Sequence, residues 1–280
     1  MMSWLSKWTA KPEPSGDMPP TDPPLASLLS DTGCHRQLNE DSARIVRAGE
    51  RGLLLVVADG MGGHKAGEVA SQTAVEMIEQ EYRSARGTPG EALAKAFQRA
   101  HREILNLAAH DPSLKGMGTT CTALAIVHRE AWAAHVGDSR LYLIRDGGIY
   151  QLSEDHTQCM ELVRQGAMTL AEAHKHEDRN VLCRAMGTRP DLDAMTWPEP
   201  LPVQAGDCFL LCSDGLHDLV TNAEIRGVVA GSDTQEACQK LVQMARDRGG
   251  YDNITVAIAR IPTAEQPEAM KPTRQLEVTE

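Results

Sequence analysis

The amino-acid sequence predicts an α+β fold, a four-layer α-β-β-α sandwich in which helices flank two mostly antiparallel sheets. Two observations predict it. The hydrophobic period changes along the chain between that of strands and that of helices. The elements also follow the order strands, two helices, strands, two helices and a strand, whereas a parallel βαβ fold would alternate them singly. We therefore expect two sheets packed face to face, with the helices outside.

The first predicted strand is the apolar run 53–58, which leads directly into Asp59. The run is short, rich in branched side chains and followed by glycines, so it is typical of a strand buried on both faces. A buried carboxylate without a partner is costly, and Gly60 lets a backbone carbonyl approach a bound group. Such oxygens suit a hard divalent cation, magnesium or manganese. An ordinary turn with a solvated Asp59 would explain the same residues.

The middle of the chain supplies two helices and then a series of strands. Apolar residues fall mostly on one face between residues 66 and 82, and they keep a strict 3-4 spacing in 89–110. The period then changes, and 117–127, 131–136 and 141–145 are predicted strands joined by short polar turns. The helical stripes indicate core packing.

The last third repeats this arrangement and adds two acidic strand ends. A buried strand is predicted at 207–213, directly before Asp214 and Gly215. Helices are predicted at 223–230 and 234–246, and the final strand at 253–261 alternates in and out. Asp252 stands just before that strand.

Both ends of the chain are polar and rich in proline. We expect residues 1–27 to form a disordered leader, although Trp4 and Trp8 with nearby lysines could make a weak interfacial or partner-binding peptide. Residues 262–280 are predicted to be a second disordered tail. The folded domain is therefore expected at about 28–261.

Composition excludes several classes of protein. The 28 Lys and Arg against 39 Asp and Glu give a formal charge of -11, which argues against nucleic acid or an anionic membrane as the main partner. The 7 cysteines include no C-x-x-C pair, which suits a reducing cytoplasm and offers no zinc site. No apolar run approaches the ~18 residues of a membrane span. We expect a cytoplasmic protein.

Four acidic residues, Asp41, Asp59, Asp214 and Asp252, stand at the ends of predicted strands or beside a motif. Each alone could be a cap or a turn residue. Their repetition at edges that one end of a sandwich could gather favours a functional cluster. Arg36, just upstream, carries a planar fork that matches two phosphate oxygens, although a lone arginine is normally a surface charge.

Six short motifs follow one another between residues 31 and 261. They are Arg36-x-x-Asn39-Glu40-Asp41, Asp59-Gly60-Met61-Gly62-Gly63-His64, Gly116-Met117-Gly118-Thr119-Thr120, Gly137-Asp138-Ser139-Arg140, Ser213-Asp214-Gly215-Leu216 and Asp252-Asn253-Ile254-Thr255. Each motif is weak, but their set and order are specific. With them the chain resembles the metal-dependent protein phosphatase family, the phosphatase 2C type, in its short bacterial form. The four-layer sandwich is that family's fold.

The resemblance implies two adjacent Mg²⁺ or Mn²⁺ ions bridged by a water or hydroxide. By similarity Asp59 bridges both ions, the Gly60 carbonyl binds one, and Asp214 and Asp252 complete the second. Asp41 holds metal-bound waters or binds directly. Such ions lower the pKa of a bound water toward ~7, and this water attacks phosphorus without a covalent enzyme intermediate.

The resemblance also implies a third, weaker metal site at Asp138, with Asp218, and a phosphate-binding role for Arg36. The general acid stays open. Many relatives place a histidine directly after Asp-Gly, where this chain has Met61. His64 is the nearest candidate acid; a metal-bound water is the alternative, with His64 only orienting waters.

Residues 153–197 resemble the family's flap, which either selects substrates or serves as scaffold. The resulting interpretation is a cytoplasmic, monomeric phosphatase that removes phosphate from phosphoserine and phosphothreonine in proteins and counteracts a bacterial Ser/Thr kinase. An inactive relative acting as a binding module is the alternative from another class, although Asp41, Asp59, Asp214 and Asp252 are all present. A two-metal nuclease fits the acidic composition less well.

Overall fold

The computed structural model describes residues 24–62 and 65–263. Its strands are β1 (Leu25–Asp31), β2 (Asp41–Arg47), β3 (Leu53–Met61), β4 (Gly118–Thr119), β5 (Cys121–Val127), β6 (Glu130–Val136), β7 (Arg140–Arg145), β8 (Gly148–Gln151), β9 (Met195–Thr196), β10 (Leu201–Pro202), β11 (Cys208–Cys212) and β12 (Ile254–Arg260). Its α-helices are α1 (Lys65–Ser84), α2 (Pro89–His110), α3 (Gln158–Arg164), α4 (Leu170–Ala173), α5 (Asp214–His217), α6 (Asn222–Ala230) and α7 (Thr234–Asp247).

The strands form two antiparallel sheets, which confirms the predicted fold class. One has five strands in the order β1-β12-β11-β7-β8. The other has seven: β10-β6-β5-β3-β2, with β4 on β3 and β9 on β6. Helices α1 and α2 share a core with the seven-stranded sheet, and α5, α6 and α7 share one with the five-stranded sheet. A third core lies between the sheets, so the layers run α-β-β-α.

Strand β3 is buried on both faces, as its apolar run predicts. Leu55 and Val57 belong to the core between the sheets, whereas Leu54 and Val56 pack toward α1 and α2. All four side chains are fully buried. A strand covered on both faces needs apolar residues at every position, and this explains the unbroken run before Asp59.

Helix α2 has the bounds that the sequence predicts because its start is encoded locally. The Thr88 side chain accepts a hydrogen bond from the Glu91 amide, the Glu91 side chain accepts one from the Thr88 amide, and Pro89 occupies the first turn. This capping box satisfies amides that the helix leaves unpaired. No helix among the described residues is both long and apolar enough to cross a membrane.

Five strands of the described chain, β1, β2, β8, β9 and β10, escape the sequence patterns, and one predicted strand is divided. Strand β1 begins at Leu25, ahead of the expected domain start at residue 28, and pairs along its length with β12. Strands β2 and β8 were not predicted either. The expected strand 117–127 breaks at Thr120, whose hydroxyl accepts a hydrogen bond from the Asp59 amide at 2.9 Å. The expected disorder of 1–23 and 264–280 lies outside the described residues.

Candidate metal centre

One end of the sandwich gathers the predicted acidic residues from both sheets. Asp41 and Asp59 are register partners across β2 and β3. Asp214 follows β11 and begins α5, and Asp252 lies in the turn before β12. Because β11 and β12 are antiparallel neighbours, the end of one lies beside the start of the other. The topology thus explains why four positions far apart in the chain meet.

A cavity of about 360 Å³ opens at this end. It brings together every predicted site residue that the structure describes except Asp41, which is only 8% exposed, and Asp218, which lines a second cavity. His64, the tentative acid, lies outside the described residues. The lining residues are Arg36, Glu40, Asp59, Gly60, Met61, Gly62, Thr120, Asp138, Asn180, Leu182, Asp214, Asp252 and Asn253.

Asp41 joins the two sheets behind the cavity. Its Oδ2 accepts hydrogen bonds from the Thr255 hydroxyl at 2.6 Å and the Ser213 hydroxyl at 2.8 Å. Its Oδ1 is buried without a hydrogen-bond partner among the described residues. Burial raises the pKa of Asp41 to about 7 against the opposing effect of those two hydroxyls, and the nearby charge of Asp214 raises it further. One oxygen of this carboxylate is therefore hydrogen-bonded, and the other can bind a further group.

Asp59 is held by its backbone. Its amide donates to Thr120 Oγ1 at 2.9 Å, and its carbonyl accepts from the Thr120 amide and the Thr119 hydroxyl, both also at 2.9 Å. Burial raises the pKa of Asp59 well above its ordinary value, and the charges of Asp41 and Asp214 add to that effect. The carboxylate is therefore placed by rigid strands among groups that repel its charge.

Asp214 belongs to the same cluster. Burial is the main cause of its raised pKa, and Asp252 adds to it, whereas His217 and a hydrogen bond with Asp59 act in the opposite direction. Its Oδ1 is buried with no hydrogen-bond partner in the described part of the chain. Two of the clustered carboxylates, Asp41 and Asp214, therefore keep a buried oxygen unsatisfied.

Glycine is required at Gly60 because the backbone around it is crowded. A Cβ there would lie 2.1 Å from the Gly67 carbonyl oxygen and 2.6 Å from that of Glu40. The Gly60 amide itself donates to the Glu40 carbonyl at 3.1 Å. This contact sets the chain beside Asp59 at the cavity wall.

Arg36 lies at the cavity edge and forms an ion pair with Asp252. Its Nη2 lies 2.7 Å from Asp252 Oδ2, and its Nη1 lies 3.9 Å from Glu40 Oε2. The Asn253 side chain fixes this loop, since its Nδ2 donates to the carbonyls of Thr32 at 2.9 Å and Leu38 at 3.0 Å. The predicted phosphate ligand and a predicted metal ligand therefore already contact each other.

Asp138 links this cavity to a second one of about 240 Å³, which also contains Asp218. Burial raises the pKa of Asp138 well above its ordinary value, with the charge of Asp214 as the next cause. Asp218 Oδ2 accepts hydrogen bonds from Asn180 Nδ2 at 2.9 Å and Arg179 Nη2 at 3.4 Å. Because Asn180 lines both cavities, the segment 153–197 borders the predicted site.

The donor set fits divalent cations that prefer oxygen. Every candidate ligand is a carboxylate or a carbonyl, the set that Mg²⁺ and Mn²⁺ favour. Buried carboxylates that repel one another, two with an unsatisfied oxygen, form a cluster that positive charge stabilises. Among residues 24–62 and 65–263 no three His, Cys, Asp or Glu side chains converge as a ready-made ion site. Asp252 instead turns one oxygen to Arg36.

Sequence reasoning missed the residues that support the ligands. Ser213, Thr255, Asn253 and Thr120 all stand inside the quoted motifs, but no role was predicted for them. Their hydroxyl and amide groups hold Asp41, Asp59 and the Arg36 loop. The signal available was the position of Ser213 and Asn253 directly beside an acidic residue and of Thr255 three residues after Asp252, whereas Thr120 has no acidic residue near it in the sequence.

A family model described as protein phosphatase 2C matches residues 35–255 of the chain. The chain is 36% identical over 239 residues to the serine/threonine phosphatase Stp of Listeria innocua, covering 83% of this chain and 94% of that protein. It is 40% identical over 235 residues to the serine/threonine protein phosphatase PstP of Mycobacterium tuberculosis, covering 83% of this chain and 44% of that protein.

Solved structures give the same result. The crystal structure of the M. tuberculosis phosphatase PstP matches with a TM-score of 0.77 at 36% identity and covers 86% of this chain and 99% of that one. The PstP catalytic domain in complex with two manganese ions matches with a TM-score of 0.74 at 35% identity, over 86% and 99% of the two chains.

Proposed function

Because the chain belongs to the protein phosphatase 2C family and is a protein-serine/threonine phosphatase of the bacterial type, we propose that it counteracts a bacterial Ser/Thr kinase. Its substrates are phosphoserine and phosphothreonine residues in proteins, hydrolysed by a metal-activated water. The observation that carries this proposal is the cavity where Arg36 and the clustered carboxylates of both sheets meet.

Two Mg²⁺ or Mn²⁺ ions are the proposed cofactors, with a third, weaker site at Asp138 and Asp218. Asp59 would bridge the two ions, and the Gly60 carbonyl, Asp214 and Asp252 would complete their protein ligands. The structure of a relative in complex with two manganese ions supports the proposal of two ions. Bound divalent ions neutralise phosphate oxygens and lower the pKa of a bound water to about 7.

The chain's own residues place these groups. Asp41 Oδ2 accepts hydrogen bonds from Ser213 and Thr255, so Oδ1 is the oxygen that would bind a metal ion or a metal-bound water. Arg36 can present its planar fork to two phosphate oxygens, and this geometry is bidentate and charge-assisted. Its ion pair with Asp252 holds the guanidinium at the cavity edge before substrate binds. His64 is the proposed general acid or water-orienting residue.

The remaining proposals concern the setting of the enzyme. We propose a cytoplasmic monomer whose catalytic domain comprises residues 28–261, extended to Leu25 by β1. The phosphorylated loops of its cognate kinase are the first substrates to test.

The experiment is a paired assay of the full chain on p-nitrophenyl phosphate and on a phosphothreonine peptide, with manganese, with magnesium and with excess chelator. We expect both substrates to be hydrolysed only when a divalent cation is present. A second arm compares the phosphoproteomes of a deletion strain and its parent. Hydrolysis unaffected by chelator, or no hydrolysis with either ion, would contradict the proposal and favour the binding-module alternative.

A further inference from the structure

An exposed aromatic pair stands at the edge of the catalytic cavity. The His35 and Tyr251 rings stack with centroids 5.2 Å apart and planes 28° apart. Tyr251 is 63% exposed, and His35 is exposed as well. Each ring comes directly before a residue that lines the cavity, His35 before Arg36 and Tyr251 before Asp252. The proposed chemistry uses neither ring.

The loops that carry the pair are firmly joined. The Cys34 amide donates to the Gly250 carbonyl at 2.7 Å. A Cβ at Gly33 would lie 2.1 Å from the Asp252 carbonyl oxygen, and a Cβ at Gly249 would lie 2.4 Å from the Tyr251 ring. The backbones therefore approach as closely as glycine allows, and Tyr251 lies against its own loop. Such a surface can bind a partner at low cost in side-chain entropy.

Three exposed apolar side chains, Leu38, Val181 and Tyr251, stand within two residues of residues that line the same cavity. Most of the large apolar residues that the described chain leaves exposed lie in the loops beside Arg36 and Asp252 or in the segment 153–197. They are Leu38, Leu162, Leu170, Val181 and Tyr251. Single exposed apolar residues need no explanation, but three in the loops that border a catalytic cavity are typical of a binding surface.

We propose that the His35–Tyr251 pair binds an aromatic side chain that flanks the phosphorylated residue of the substrate protein. This inference rests on the proposed function and names the sequence context that the enzyme prefers. Aromatic rings gain from offset or edge-to-face contact in addition to the apolar area that they bury.

The test uses a set of phosphothreonine peptides that differ only in one flanking residue. Phenylalanine, arginine or alanine is placed in turn at each of the nearest positions on either side of the phosphothreonine. The ratio of kcat/KM between the phenylalanine and alanine peptides is measured for the wild type and for Tyr251→Ala, His35→Ala and Tyr251→Phe. Tyr150→Ala is the matched control, because Tyr150 is a partly exposed tyrosine on the β8 edge.

We expect the wild type to prefer the phenylalanine peptide by roughly three- to tenfold at one or more positions, mainly through KM, in line with the strength of aromatic pairs. Tyr251→Ala and His35→Ala should reduce that ratio to near one with little change on the alanine peptide. Tyr251→Phe and Tyr150→Ala should keep the ratio.

Three results would overturn the inference: no preference in the wild type, a preference for arginine, or a ratio that Tyr251→Ala leaves unchanged. An equal loss on both peptides would assign the pair a structural role in holding Asp252, and would also overturn it. Failure of the wild type to hydrolyse any phosphothreonine peptide would contradict the proposed function, so the two failures are distinguishable.

Discussion

The two ends of strand β11 bury a carboxylate in opposite ways. Asp207, just before the strand, is 1% exposed and accepts hydrogen bonds from Arg145 Nε at 2.7 Å, from Arg145 Nη2 and from the Gln204 amide at 2.7 Å. Asp214, just after the strand, keeps its Oδ1 without a partner among the described residues and has Asp59 and Asp252 as neighbours.

The difference separates a structural carboxylate from a functional one. At the Asp207 end an arginine supplies the opposite charge and satisfies the oxygens, so the fold itself compensates for burial. At the Asp214 end the neighbouring Asp252 carries the same charge, and burial raises the pKa of Asp214, Asp59 and Asp41, an effect that His217 opposes only in part for Asp214. Compensation there must come from outside the chain, and this is what a cation-binding site requires.

The sharpest test is Asp214→Asn, which removes the charge but keeps the shape. We expect kcat/KM on p-nitrophenyl phosphate with saturating manganese to fall by at least ~10³, because the metal ions that Asp214 would hold lower the activation free energy by several kcal/mol. The free energy of unfolding in chelator should not fall, because a repelling group has been removed. Near-normal turnover would contradict the two-metal assignment.

Asp207→Asn is the matched control, the same substitution at the other end of the same strand. It removes the carboxylate charge that compensates the buried Arg145 guanidinium, so we expect the free energy of unfolding to fall by about 3–5 kcal/mol. Activity per folded molecule should stay near that of the wild type. Urea unfolding with a parallel activity titration measures both. A stable, inactive Asp207→Asn protein would reverse the comparison.

Arg36→Lys tests the cationic side chain that lines the catalytic cavity. Lysine keeps the charge but cannot make a bidentate contact, so we expect kcat/KM on a phosphothreonine peptide to fall roughly 10- to 150-fold. KM should rise more than kcat falls if Arg36 binds ground and transition states equally. Steady-state kinetics of Arg36→Lys and Arg36→Ala check this. Unchanged constants in both variants would assign Arg36 to its ion pair with Asp252 alone.

A third way to bury a titratable group is to keep it neutral, as His135 and His156 do. Burial lowers the pKa of His135 to about 4 and that of His156 to about 3. His135 Nε2 lies 3.0 Å from the Glu154 carbonyl oxygen, and His156 Nδ1 accepts from the Gly137 amide at 3.1 Å. An unfolded histidine binds a proton below about pH 6.5 whereas these do not, so unfolding takes up protons in acid.

The contribution of these two histidines to stability should therefore be lost as the pH falls below about 6.5. Each histidine lowers the free energy of unfolding by up to ~1.4 kcal/mol per pH unit. We expect the difference between wild type and His135→Gln to shrink by up to ~2 kcal/mol between pH 6.5 and pH 5. Urea unfolding in chelator at both pH values measures it. A difference independent of pH would show that His135 is protonated in the folded protein.

Much of the fold follows from local patterns. Helix α2 has its predicted bounds because its apolar stripe and its Thr88–Glu91 capping box are encoded within one segment. Strand β3 was found because burial on two faces leaves an unbroken apolar run. Strand β1 was missed since its pattern is weak and its partner, β12, lies at the far end of the chain.

By itself the sequence determined which acidic residues stand at strand ends, because a carboxylate after an apolar run is visible without any partner. Only the tertiary structure decided what each carboxylate contacts. Asp207 and Asp214 border one strand and look alike in the sequence. In the structure, however, Asp207 contacts Arg145 of β7 and Asp214 contacts Asp59 of β3. Likewise Ser213 and Thr255 leave Asp41 with one held and one unsatisfied oxygen. Hydrophobic periodicity reports burial, but the partners of a buried charge come from segments that meet only when the sheets pack.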